Sequence, residues 1–159
     1  MCPVEIEDHP ARHVAAVAHR GAYPEIRDAF ERLTAVATER ALWPISLGIV
    51  GVYHDDPDVV AEADLRSHAG LILPEDAAIP VPLEALMLPG GPHAVMRYKG
   101  PYTGLGAAYA SLFGSWLPVS GREMADGPSF DLYLNSPLDT PPEELLTHIC
   151  VPLRSASGT

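Results

Sequence analysis

The chain has little positive charge to spend. It carries one lysine, Lys99, and only 10 Lys and Arg together against 21 Asp and Glu, for a net charge of −11. Neutralising nucleic-acid phosphates takes clustered basic side chains, so direct nucleic-acid binding is not expected. Cysteine is equally scarce, at two residues in 159, Cys2 and Cys150. That excludes a disulfide framework and fits a reducing cytoplasm. Cys150 lies in an apolar run and reads as an inert buried thiol. There is no basic-then-apolar leader and no apolar run long enough to span a bilayer, so a soluble cytoplasmic protein is expected. The seven histidines include no His-Glu-x-x-His run, and there is no Cys-x-x-Cys pair, so no metal and no cofactor is expected.

Other signatures are missing as well. No Gly-x-Ser-x-Gly elbow occurs. Gly104-Leu105-Gly106 lacks the third glycine of a dinucleotide loop. His148 and Cys150 stand two apart on an expected strand and would share a face, but no orienting third group accompanies them.

What is present is an apolar content of 47%, enough for a substantial core, and one unit used twice. Tyr53, Pro57, Leu65 and His68 return at a constant offset as Tyr133, Pro137, Leu145 and His148; Gly51 aligns with Asp131. Glu5, Gly21, Tyr23 and Leu33 return as Glu84, Gly100, Tyr102 and Leu112, one residue out of step. A period of about eighty residues is too long for a solenoid. It points to one domain over 1–159 made of half-repeats at about 4–78 and 79–154. Two such halves, related by a pseudo-twofold axis, would leave a ligand cleft where they meet.

Each half reads as strand, helix, strand, strand: an α+β fold with antiparallel sheets. Extended pieces are expected at Val4–Ile6 and His13–His19. A helix opens at Pro24, which suits a first helical position, and ends near Arg40. Its stripe is Ile26, Ala29, Phe30, Leu33, Val36 and Ala37. Strands follow at Ser46–Tyr53 and Leu65–Leu73. The second copy has strands at His93–Tyr98, Ser129–Asn135 and Leu146–Pro152. Its helix, 103–117, has Thr103 as an expected N-cap. No charged residue occurs from Gly100 to Gly121. A helix uncharged all round points to a pocket wall or to a homodimer interface, against a plain small-residue surface.

Tyrosine and tryptophan join an apolar body to a polar tip and suit a pocket for flat, partly polar molecules. An acid beside them adds affinity for cations.

The ordered motifs resemble a known family. They are Arg20-Gly21-x-Tyr23, Tyr53-His54-Asp55-Asp56-Pro57, Gly90-Gly91-Pro92-His93, Lys99-Gly100-Pro101-Tyr102, Trp116-Leu117-Pro118-x-Ser120-Gly121, Tyr133-Leu134-Asn135-x-Pro137 and Thr147-His148-Ile149-Cys150-Val151-Pro152. Together they are similar to the GyrI-like small-molecule-binding domains, the effector-binding module of many AraC-type and multidrug-sensing regulators. The resemblance implies a stand-alone binder of hydrophobic or cationic drugs, toxins or effectors. Some stand-alone members protect against toxins, and a subset hydrolyses cyclopropane-bearing genotoxins. It implies a cleft with His148 as main polar contact, where the family has an acidic residue. Tyr133, Trp116 and Phe113 are expected as walls, with Tyr23, Tyr53 and Tyr102 next and His68 as the symmetry counterpart. Two alternatives stand beside binding. One is a hydrolase with His148 as general base. The other is an acidic inhibitor that docks on a partner such as DNA gyrase.

Overall fold

A computed structural model describes residues 3–55, 59–125, 127–136 and 139–154. Cys2, Asp56, Pro57, Pro137 and the tail from Ser155 lie outside the described residues. The fold is α+β with antiparallel strand pairing. The chain divides into two compact units, an N-terminal unit of residues 11–89 and a C-terminal unit of residues 90–159 together with 1–10.

The N-terminal unit holds β2 (Arg12–Arg20), α1 (Arg27–Glu39), β3 (Gly48–Tyr53), β4 (Arg66–Leu73) and β5 (Glu84–Leu88), with the strands in the order β5-β2-β4-β3. The helical stripe does what its spacing demands. Ala29, Leu33 and Ala37 are buried, and they pack on Ala15, Ala69, Leu71 and Leu73 of the sheet. A φ of +54° at Ala41 ends the run after Arg40, whose N–H still reaches Val36 O at 2.8 Å.

The C-terminal unit holds β1 (Val4–His9), β6 (Gly91–Lys99), α2 (Leu105–Ser111), α3 (Leu117–Ser120), β7 (Ser129–Tyr133) and β8 (Leu146–Pro152), ordered β1-β6-β8-β7. The pairings repeat position by position. Ala18 lies opposite His68 in one unit, and Arg97 lies opposite His148 in the other. The sequence copies and the compact units have different edges, because β1 pairs with β6 and β5 pairs with β2.

The second helix is not the single run expected over 103–117. It enters through a 3-10 turn at Tyr102–Gly104, runs as α2, widens into a π turn at Leu112–Trp116, and closes as α3 before Gly121 at φ +76°. Pro118 accounts for the widening. It has no N–H for the carbonyl four residues back, and its ring crowds that carbonyl. Thr103 is not the N-cap. Pro101 caps the 3-10 turn and Gly104 precedes α2, neither through a side-chain hydrogen bond. Ala108 and Leu112 are buried against Met96, Ile149 and Val151. The opposite side, including Gly106, Ala107, Ala110 and Ser111, is exposed. No described helix is long and apolar enough to cross a membrane.

Candidate functional site

Strand alternation sorts the chemistry of the C-terminal unit onto two faces. Ile149 and Val151 of β8 pack under the helix. Thr147 therefore belongs to that face, and so do its cross-strand partners Tyr98 and Tyr133. One row further along, Asp131 lies opposite Ile149 and joins the same face.

Asp131 is 1% exposed, a carboxylate placed between helix and sheet. Tyr109 of α2 donates its hydroxyl to Oδ1, and Tyr133, two residues on along β7, donates to Oδ2 at 3.2 Å. The ring of Tyr102 meets that of Tyr133 edge-on at 5.4 Å, and Tyr109 stacks on Phe113 at 6.0 Å. Phe113 and Trp116 also pack on the core around Met96 and Ile149. Tyr102, Tyr109, Phe113, Trp116 and Tyr133 are all only partly buried, so the aromatic cluster has an open side. Burial, and after it the charge of Asp131, raises the Tyr102 phenol above its usual pKa. The Thr147 hydroxyl is fully buried and has no hydrogen-bond partner among the described residues. Leaving such a group unpaired costs about 1–3 kcal/mol.

The N-terminal unit carries the aromatic half of this arrangement. Tyr23 meets Tyr53 edge-on at 4.9 Å, and the buried Ser67 hydroxyl, like that of Thr147, has no hydrogen-bond partner among the described residues. The Tyr23 hydroxyl is tied down: it donates to Asp55 O at 2.7 Å and accepts from Asp55 N at 2.9 Å. The acid is missing from this strand position, because Gly51 stands opposite Ala69 where Asp131 stands opposite Ile149.

His148 does not share a face with Tyr133, Trp116 or Phe113. It lies opposite Leu132 and Arg97, on the side of the sheet away from the helix. There Arg97 ion-pairs with Glu7 and, at 3.4 Å, with Glu5. Burial first, and then the Arg97 charge, holds His148 below the usual imidazole pKa, against a smaller opposing pull from Glu7. His68 is on the corresponding face of its own unit. Its Nδ1 is 2.7 Å from His54 Nε2 and its Nε2 is 3.3 Å from Glu84 Oε1. A hollow floored by His148 and walled by those aromatics therefore does not form within this unit. The expected aromatics do converge, Tyr133 with Tyr102 and Tyr23 with Tyr53, while the two histidines do not join them. Cys150 is buried beside His148 on the same face, and its thiol donates to the carbonyl of His148 at 3.8 Å. No group of three His, Cys, Asp or Glu among the described residues could hold a metal.

A family model for the GyrI-like small molecule binding domain matches residues 3–154. The chain belongs to the GyrI-like family. Its curated relatives include a DNA gyrase inhibitor of Erwinia billingiae, 36% identical over 92 residues. That match covers 54% of this chain and 57% of the relative, so the chain spans about half of that relative's length. A DNA gyrase inhibitor of Serratia proteamaculans is 28% identical over 137 residues, covering 83% of this chain and 86% of the relative. Among solved structures, the C-terminal domain of EcmrR superposes with a TM-score of 0.75 at 14% identity, over 98% of this chain and 99% of that one. SAV2435 bound to tetraphenylphosphonium gives 0.71 at 13%, over 99% of each chain. A hydrolase from Listeria innocua encoded by lin2189 gives 0.69 at 14%, over 95% and 91%. At these identities the solved structures establish a shared fold.

An acid beside aromatics is thus present, on a different strand from the one expected. The position of His148 carries no carboxylate, but Asp131 on β7 does. The signal was available in the repeat: an acid stands two residues before a tyrosine inside an apolar strand, where the other copy has glycine.

Proposed function

We propose that this GyrI-like chain is a small-molecule-binding protein that takes a lipophilic, aromatic cation at Asp131, between Tyr102, Tyr109 and Tyr133. The observation that carries the proposal is the buried Asp131 carboxylate inside a partly open ring of aromatics. Burying a carboxylate is costly, and a cation beside it recovers that cost. Aromatic faces attract the same cation and supply apolar area, together worth about 0.5–2 kcal/mol per good contact. Thr147 offers an unmet hydrogen-bonding group on the same face. The matching registers of β2–β4 and β6–β8 support a duplicated strand–helix–strand–strand unit in which the second copy carries the acid and the first has Gly51 in its place.

The neighbour solved with tetraphenylphosphonium supplies the probe. In isothermal titration calorimetry, tetraphenylphosphonium should bind and tetraphenylborate, the same shape with the opposite charge, should not. Asp131→Asn should weaken the cation about tenfold. Equal binding of the two ions, or an unchanged affinity in Asp131→Asn, refutes the assignment.

A second role, inhibition of DNA gyrase by protein contact, is favoured by the name shared among the curated relatives. The acidic surface would then contribute, and binding to purified gyrase should weaken as salt rises.

A further inference from the structure

On the helix-free face of the N-terminal unit, two arginines stand directly opposite each other. Arg20 of β2 and Arg66 of β4 are register partners. Like charges facing across a strand pair are destabilising, and the pair occurs in a chain that has only ten basic residues. Arg66 is aimed by Asp55, which accepts from its Nε at 3.1 Å and from its Nη2 at 2.9 Å. That grip also neutralises Arg66. Arg20 has no ion-pair partner among the described residues.

Beside the pair lies a hollow of about 340 Å³, lined among others by Ala18, Arg20, Arg66, His68 and Glu84. The C-terminal unit explains why it is empty of side chain. The residue opposite His148 is Arg97, whose guanidinium reaches Glu5 and Glu7. The residue opposite His68 is Ala18, which stops at its Cβ. Glu84 is engaged by His68, which in turn meets His54. Glu84 accepts, so His68 Nε2 donates to it and His68 Nδ1 faces His54. With Asp55 paired to Arg66 and Glu84 hydrogen-bonded to His68, the guanidinium at the hollow without an ion-pair partner among the described residues is that of Arg20.

We infer that this hollow is a second ligand site, specific for a small organic monocarboxylate. The carboxylate sits between Arg20 and Arg66, and its apolar body rests over Ala18. A planar guanidinium matches a carboxylate in shape and charge. The volume is at the small end of ligand pockets. Two arginines stand against the carboxylates of Asp55 and Glu84, so with His68 neutral there is no surplus positive charge, and a dianion is disfavoured against a monoanion.

The test is calorimetric titration of the full chain with benzoate and with benzamide at fixed ionic strength. Benzoate should bind at least tenfold more tightly than benzamide. Arg20→Gln should remove most of that difference. Ala18→Arg places in the hollow the side chain that Arg97 supplies in the other unit, and it should abolish benzoate binding. Tetraphenylphosphonium binding should survive both substitutions, which separates this site from the one at Asp131. Should Ala18→Arg fail to fold, the Arg20→Gln comparison decides alone. No benzoate binding at millimolar concentration, equal affinity for the amide, or undiminished affinity in Arg20→Gln overturns the assignment. Inorganic phosphate binding more tightly than benzoate overturns the choice of a monocarboxylate.

Discussion

Tyr109, on the helix, donates its phenolic hydrogen to Asp131, on a strand 22 residues later. The bond joins the helix that covers the sheet to a buried carboxylate on that face. It links the folding of α2 to the polarity of the candidate ligand site. Removing the donor tests both at once.

Tyr109→Phe keeps the ring against Phe113 and deletes the hydroxyl. Asp131 then loses a donor to a buried charge, worth about 1.5–3 kcal/mol. Urea denaturation should show a loss of that size with an unchanged m-value. A loss under about 0.5 kcal/mol would mean that the carboxylate is not held by this phenol.

Gly104→Ala should be costly for a local reason. A Cβ there would sit 2.0 Å from the hydroxyl oxygen of Tyr98 and 3.1 Å from its Cζ. Tyr98 cannot simply withdraw, because that hydroxyl donates to Pro101 O at 2.7 Å. Overpacking of this kind costs about 1–3 kcal/mol. Tyr98→Phe in the same chain should recover part of it, seen as a non-additive double-mutant cycle.

Pro118→Ala restores an N–H that can reach back four residues. The π turn at Leu112–Trp116 should then tighten toward α geometry, shifting Phe113 and Trp116 on the core. Hydrogen exchange should report a newly protected amide at residue 118. The affinity for tetraphenylphosphonium should change without loss of stability.

Acid should destabilise the protein in two separate windows. His54 and His148 have folded pKa values held below 6.5, in both cases chiefly by burial. The unfolded chain therefore takes up these protons first, and stability present above pH 6.5 is lost as pH falls through the lower folded values. Glu7 and Asp55 are also held low, by hydrogen bonds from Arg97 and Arg66, so their contributions disappear only below the ordinary carboxylate range. Melting temperature against pH should fall first below 6.5, and His54→Gln or His148→Gln should flatten that first step alone.

Much of the architecture was legible from patterning. The α1 stripe, the β2 to β4 strands and the repeat offset all follow from spacing, because a one-faced helix and a strand between turns leave a period behind. Which face His148 occupies was not. Ile149, Cys150 and Val151 are all fully buried, so both faces of β8 are apolar and the alternation that would orient His148 is erased. Asp131 was visible as a mismatch with Gly51, yet its importance comes from Tyr109, a contact between a helix and a strand that no local pattern encodes. The widening of the second helix also had its cause in plain sight, at Pro118.

The pairing of β1 with β6 has a consequence for biosynthesis. Strand β1 is translated ahead of the N-terminal unit yet belongs to the C-terminal one, so its partner β6 is made only after residues 11–89. Until Gly91–Lys99 emerges, Val4–His9 has no native neighbour. An extension fused ahead of Val4 would therefore burden the C-terminal unit, half a chain away in sequence, and leave the pairing of the adjacent β2 intact.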